Sequence, residues 1–130
     1  MILLDTHALV WLLSDDLKLS PRARTTIREQ VLLKNPIAIS DVTLYEMAWL
    51  VEKKRIEIKV PLELYLEEVQ SRFVAKRVTA AIAAKAASLP REYPSDPMDR
   101  IIAATAFVEG LDLLTADGLI RRSGAVNTIW

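Results

Sequence analysis

The stretch YPSDPMDRIIAATAFVEGLDLLTAD, residues 93–117, decides the fold. Asp96 followed by Pro97 reads as a helix N-cap with proline at the first helical position, where its missing N–H costs nothing. The helix that follows is apolar nearly all round, which marks it as buried, and Gly110 ends it as a C-cap. Leu111 to Leu114 then forms a short strand carrying one polar residue, Asp112. The two acids at the helix start raise a question that this stretch alone leaves open. Asp96 fits a cap. Asp99, the third helical residue, sits near the positive end of the helix dipole and an unpaired backbone N–H. Helix chemistry by itself accounts for both.

Outward from this segment, the same alternation recurs. Ile2-Leu3-Leu4 is a short continuous apolar run, the mark of a strand buried on both faces. Ala8 to Leu13 is apolar and predicts a short helix. Ser20-Pro21 opens an amphipathic helix to about Leu33, which Asn35-Pro36 stops, and Ile37-Ala38-Ile39 is a second strand. Ser40 caps a helix that runs through Trp49 to about Lys53. After a connection from Arg55 to Lys59, Pro61 opens another helix, with a stripe at Leu62, Leu66, Val69 and Phe73. Lys76-Arg77-Val78 predicts a short strand, Ala80 to Ser88 an alanine-rich helix, and Val126 to Ile129 a last strand. Short apolar strands alternating with helices predict an α/β fold, a three-layer α/β/α sandwich around a central parallel sheet of about 4–5 short strands.

The bulk composition narrows the class. A length of 130 residues suits one compact domain, 1–130, with a real core. An apolar content of 52% rules out disorder and leaves room for an oligomer face. No basic leader precedes the first apolar run and no apolar run spans a bilayer, so a cytoplasmic protein with no membrane segment is expected. The absence of cysteine excludes disulfides, thiolate zinc sites and cysteine nucleophiles. Lys+Arg and Asp+Glu are equal at 17 each, so any nucleic acid must meet a local patch rather than a net charge.

In parallel sheets of this kind, ligands bind beyond the carboxyl ends of the strands. Asp5 directly follows the first strand, and Asp117 follows strand Leu111–Leu114. Crossover helices begin at the same edge, which places Asp99 there. Glu46 lies in the second turn of its helix, with Val42, Trp49 and Leu50 as neighbours at helical spacing, so it interrupts a face that should be buried. A lone carboxylate in that position is costly unless paired, protonated or bound to a cation. A salt bridge to an arginine explains it about as well as a functional role. Four carboxylates converging on one edge repel one another, and a hard divalent cation resolves the repulsion. With oxygen donors only, Mg2+ or Mn2+ is the expected ion, and phosphodiester hydrolysis its natural chemistry.

The segments LLDTHALVWLLSDDLKLSPRAR, ISDVTLYEMAW, DPMDRIIAATA and GLDLLTAD, in this order and spacing, resemble the PIN domain family, and within it the VapC-type toxin ribonucleases. The resemblance covers essentially the whole chain. It implies a Mg2+- or Mn2+-dependent endoribonuclease acting on single-stranded RNA, a homodimer, and a cognate antitoxin as partner. Carried over residue by residue, it assigns the acidic site to Asp5, Glu46, Asp99 and Asp117, as metal ligands and catalytic groups, and favours Asp99 over Asp96. The expected products carry a 5′-phosphate and a 3′-hydroxyl. One departure stands out: relatives often carry a histidine shortly before the DPxDR element, where this chain has Tyr93-Pro94-Ser95.

Other side chains have two readings each. His7 reads more readily as a structural histidine than as a catalytic one. Thr6 and Thr115 either orient the acids or stabilise turns. Lys53-Lys54-Arg55, Arg100 and Arg121-Arg122 are either phosphate contacts or solvated faces. Trp11, Trp49 and the stripe from Leu62 to Phe73 read as core or oligomer interface before base-stacking platforms. A phosphoacceptor receiver domain would need an acid pair in the first loop and a lysine after a late strand. An aspartyl-nucleophile phosphatase would need a second aspartate where His7 stands. Two further alternatives are an RNA-processing PIN nuclease outside any toxin–antitoxin pair and a non-catalytic module whose acids form salt bridges.

Overall fold

The computed structural model describes all 130 residues. Five parallel strands, β1 (Ile2–Leu4), β2 (Ile37–Ser40), β3 (Val74–Lys76), β4 (Asp112–Leu114) and β5 (Thr128–Ile129), form one sheet in the order β3-β2-β1-β4-β5. Seven helices connect them: α1 (Thr6–Leu13), α2 (Pro21–Leu32), α3 (Asp41–Glu52), α4 (Leu62–Arg72), α5 (Ala80–Ser88), α6 (Pro97–Glu109) and α7 (Gly118–Ser123). The strand order reverses direction at β1, between β2 on one side and β4 on the other. That reversal opens a crevice beyond the carboxyl ends of β1 and β4.

Alternation along the short strands divides the core into two layers. Ile2, Leu4, Ile37, Ile39 and Leu114 face one side, against Ala8 and Leu9 of α1, Ala23 and Ile27 of α2, Met47 of α3 and Val69 of α4. Leu3, Ala38 and Leu113 face the other, against Ile82 and Ala86 of α5, Ile102, Ala103 and Ala106 of α6, and Ile120 of α7. This is the expected three-layer sandwich. The central strands contribute residues to both layers, which is why the sequence shows continuous apolar runs rather than alternation.

The differences from the sequence reading are local. Helix α1 begins at Thr6 rather than Ala8, because Asp5 supplies its cap. Strand β3 lies at 74–76, two residues before the expected position. Phe73, counted into the helical stripe, is instead a single extended residue (φ −127°, ψ 154°) that joins α4 directly to β3. Helix α7 went unread. Its signal was Asp117-Gly118-Leu119-Ile120, a cap followed by an apolar pair, and Ile120 is buried. Helix α6 ends as expected at Gly110, whose φ of 65° is the left-handed conformation that glycine adopts at least cost.

Candidate active site

The four acids come from four separate elements, and each is placed by ordinary helix chemistry. Asp5 leaves β1, which is held in register by the Asp5 N–H donating to the Leu114 carbonyl at 3.1 Å. Its Oδ1 accepts from the Ala8 N–H at 2.7 Å, capping α1. Asp117 leaves β4 and caps α7, with Oδ1 accepting from the Leu119 and Ile120 N–H groups at 2.9 and 3.0 Å. The Asp117 N–H donates in turn to the buried Thr115 hydroxyl at 3.0 Å, which fixes the turn out of β4. Both caps use the Oδ1 atom and so hold the carboxylate in one orientation at the sheet edge.

Asp96 is the cap of α6, accepting from the Met98 and Asp99 N–H groups at 2.8 and 3.3 Å. Asp99 occupies the third helical position, half-buried, and makes no ion pair. The two acids of the opening stretch therefore have different jobs: one holds the helix start, and the other projects from it. Glu46, in the second turn of α3, is also half-buried. No arginine meets it. Its Oε1 accepts from the Thr6 hydroxyl at 2.6 Å, and Thr6 lies 3.2 Å from the hydroxyl of Thr43, both threonines being buried. Thr6 stood out in the sequence; Thr43 did not, since a threonine inside an amphipathic helix gives no signal until its neighbour across the crevice is known.

These carboxylates act on one another. Burial pushes the Asp5 carboxyl up; the Thr115 hydroxyl, the Ala8 N–H and His7 oppose the rise, and Asp117 adds to it. Burial likewise raises Glu46, against the Thr6 hydroxyl, with Asp96 and Asp5 adding to the rise. Asp99 is pushed up to about 7, first by burial and then by repulsion from Asp96, Glu46, Asp117 and Asp5. The crevice is thus a negatively charged pocket whose members lie close enough to share a field, with no basic side chain in ion-pair contact with any of them. The salt-bridge explanation of Glu46 has no arginine to support it.

The donor set fits a hard divalent cation. The available donors are carboxylate oxygens and threonine hydroxyls, and hard ions prefer oxygen. No three of the acidic or imidazole groups converge tightly enough to make a ready-formed ligand cluster. The site is open, of the kind in which protein carboxylates supply part of a shell and water or phosphate oxygens the rest.

Around the acids, three sequence readings change. Arg100 is no phosphate contact: its guanidinium donates to the carbonyls of Ala86 at 3.2 Å, Leu89, and Pro90 at 3.3 Å, closing the end of α5. Of the two readings of Trp49, core and oligomer interface, the first falls, since the ring is 42% exposed, with Lys53 and Arg55 set over it at 5.8 and 5.5 Å. With Tyr45, His7 and Glu46 it lines a cavity of about 300 Å3 beside the acids. Tyr93, at the place where relatives carry a histidine, is buried and hydrogen-bonds the Ser123 hydroxyl at 3.1 Å, so it ties α7 to the loop before α6. Trp11 behaves as expected, half-buried between His7 and Trp130.

Residues 2–125 match the PIN domain family. This chain belongs to that family. Its place is in the VapC branch: it is 32% identical over 131 residues to Ribonuclease VapC22 of Mycobacterium tuberculosis, with 99% of this chain and 98% of that protein covered. Among solved structures, VapBC2 from Rickettsia felis bound to a DNA fragment from their promoter superposes with a TM-score of 0.72 at 22% identity, over 98% of this chain and 97% of the other. A toxin–antitoxin complex from Klebsiella pneumoniae does so with a TM-score of 0.65 at 24% identity, over 97% and 95%. At these identities the two structures speak for the fold. This PIN domain has no helix long and apolar enough to cross a membrane.

Proposed function

We propose that this PIN domain is a divalent-cation-dependent endoribonuclease, the toxin half of a toxin–antitoxin pair. The observation that supports the reading is the placement of Asp5, Glu46, Asp99 and Asp117 along one open carboxyl edge with no basic side chain in ion-pair contact, where burial first and repulsion from the other acids second push Asp99 up to about 7. Caps and salt bridges do not need that arrangement; a cation-dependent phosphodiesterase does. The relative named Ribonuclease VapC22 supports RNA as the substrate, and the toxin–antitoxin complex among the similar folds supports an antitoxin partner.

In this reading Asp5, Glu46, Asp99 and Asp117 hold Mg2+, with Mn2+ as a substitute. When bound, the ion supplies Lewis-acid activation of water and charge neutralisation at the phosphate. The chain's own contribution is orientation. The Ala8 N–H pins one oxygen of Asp5, and the Leu119 and Ile120 N–H groups pin one of Asp117, so each carboxylate is held at its place on the edge. The Thr6 hydroxyl orients Glu46 and opposes the rise that burial imposes on it. Asp99, held up to about 7 first by burial and then by the neighbouring acids, would join the ligand set as its carboxylate. Water attacking in line would leave a 5′-phosphate and a 3′-hydroxyl.

The cavity beside the acids, with Tyr45 and Trp49 on its wall, suits an unstacked base of single-stranded RNA. We also read the protein as a cytoplasmic homodimer, supported by apolar side chains left exposed, such as Leu32 and Phe107. The test of the activity is cleavage of total cellular RNA by the wild type with Mg2+, with Mn2+ and with chelator. Discrete cuts that need the metal support the reading; a folded, metal-binding protein that cuts no RNA of any source refutes it.

A further inference from the structure

Next to the acids lies a second, oppositely charged site. A cavity of about 500 Å3 is lined by Arg22, Gly118, Arg121, Arg122, Thr128 and Trp130. Three of these six are arginines and no side chain among them is acidic. The chain's ion pairs are Arg24 with Asp15 and Lys76 with Glu109, so no carboxylate neutralises any of the three. In a protein whose basic and acidic residues balance at 17 each, three unpaired guanidinium groups around one cavity are a local excess. They come from two separate parts of the chain, the first turn of α2 and the last turn of α7. All three are exposed, so water screens their mutual repulsion, and their shared positive field attracts an anion.

Gly118 lies on the wall of the same cavity, against the mobile end of the Arg122 side chain. Its φ is not in the left-handed region, so the backbone there does not call for glycine. A Cβ at this position would lie 2.7 Å from Nη1 of Arg122 and 3.3 Å from its Cζ. Glycine therefore opens the space in which the Arg122 guanidinium lies against the start of α7. That start is the residue after Asp117. The opposite wall, Thr128 and Trp130, belongs to the end of β5, which runs parallel to β4 and finishes at the same sheet edge. Gly118, on the wall of the basic cavity, directly follows Asp117, the acid that caps α7.

We infer that Arg22, Arg121 and Arg122 form a phosphate-binding subsite that grips the RNA backbone beside the scissile bond. The inference rests on the ribonuclease reading and names how the substrate is held. The acidic crevice attracts a cation but repels the polyanionic RNA; the arginines offset that repulsion and set the direction in which the strand crosses the edge. Guanidinium forks match phosphate oxygens in pairs, and arginine is the side chain suited to that contact. The indole of Trp130 forms part of the wall that this strand passes.

The test uses the full chain and a 5′-fluorescein-labelled single-stranded RNA of about 12 nucleotides, in chelator so that no cutting occurs. Anisotropy gives Kd over a range of salt concentrations for wild type and for R22Q/R121Q/R122Q. Each phosphate contact on a single strand contributes about 0.7 to the salt slope, so loss of three lowers the slope by roughly 2 and weakens binding about tenfold to a hundredfold at low salt. Gly118→Ala, which displaces the Arg122 guanidinium but keeps every charge, should weaken binding by a smaller factor. With Mg2+, the triple variant should show a raised KM on long RNA and an unchanged rate on bis(p-nitrophenyl) phosphate, which is too small to reach the arginines. An unchanged salt slope and Kd in a folded triple variant would overturn the subsite while the wild type still cuts RNA. Failure of the wild type itself to hydrolyse either substrate would instead overturn the nuclease reading on which it rests.

Discussion

Replacing Asp99 by asparagine should stabilise the metal-free protein, and the gain should depend on pH in one direction only. Asp99 has an ordinary value of 3.8 and stands at about 7 in the fold. The folded state therefore binds a proton more tightly than the unfolded state. Below about pH 4 the carboxyl is neutral in both states and the wild type carries no penalty. As pH rises from about 4 to 7 the unfolded chain gains a charge that the fold resists, so wild-type stability falls; above about 7 the loss is complete. A shift of about three pH units corresponds to about 4 kcal/mol as an upper bound. Asp99 is only half-buried, and solvent screening together with the favourable helix dipole reduces this to about 1–2 kcal/mol. An asparagine side chain keeps the shape and the helix position without the charge. In chelator at about pH 8, thermal unfolding of Asp99→Asn should lie about 3–10 °C above wild type, and the difference should vanish near pH 4. Mg2+ should then raise the wild type and leave the variant almost unmoved. A variant less stable than wild type at the higher pH in chelator would refute the reasoning, because it would mean that Asp99 is a helix-stabilising charge and not a repelled one.

Thr6→Val removes the hydroxyl donor to Glu46 and the partner of Thr43; melting should show a loss of about 1–3 kcal/mol, and calorimetric titration with Mn2+ about a tenfold weaker affinity. Arg100→Met should lower stability by about 1–3 kcal/mol through the freed carbonyls at the end of α5, with KM for RNA unchanged; a raised KM with normal stability would restore Arg100 as a phosphate contact. A Cβ at Gly110 meets no atom within 4 Å, so denaturant unfolding of Gly110→Ala should report only the left-handed backbone cost of about 1 kcal/mol, with cleavage unaffected.

What could be read from the sequence follows from how local each signal is. The strands at Ile2–Leu4 and Ile37–Ser40 and the helix from Pro97 were legible because burial on both faces leaves unbroken apolar runs, and because Asp-Pro and Gly110 mark the ends chemically. The placement of Asp5, Asp99 and Asp117 at one edge followed from strand and helix polarity alone. Strand β3 was misplaced because it is an edge strand, partly exposed, with weak patterning, and because a helix running into a strand through Phe73 looks periodic to its last residue. Helix α7 is six residues long, too short for periodicity to register. Side-chain partners were the least accessible. Nothing in Arg100 distinguishes an arginine that closes a helix from one that meets phosphate, and nothing in Thr43 announces a partner 37 residues away.

The central claim is that four carboxylates form one cation site that cuts RNA, and cleavage by Asp5→Asn tests it most directly. Asparagine keeps the Oδ1 acceptor for the Ala8 N–H and so preserves the cap of α1. Wild type and variant, matched for folded content by circular dichroism, would be incubated with the same RNA in Mg2+, in Mn2+ and in chelator, and the ends of any products mapped. The account predicts discrete metal-dependent cuts with 5′-phosphate ends by the wild type, and none by the folded variant. Equal cleavage by both in Mg2+ would contradict it and would leave Asp5 as a helix cap.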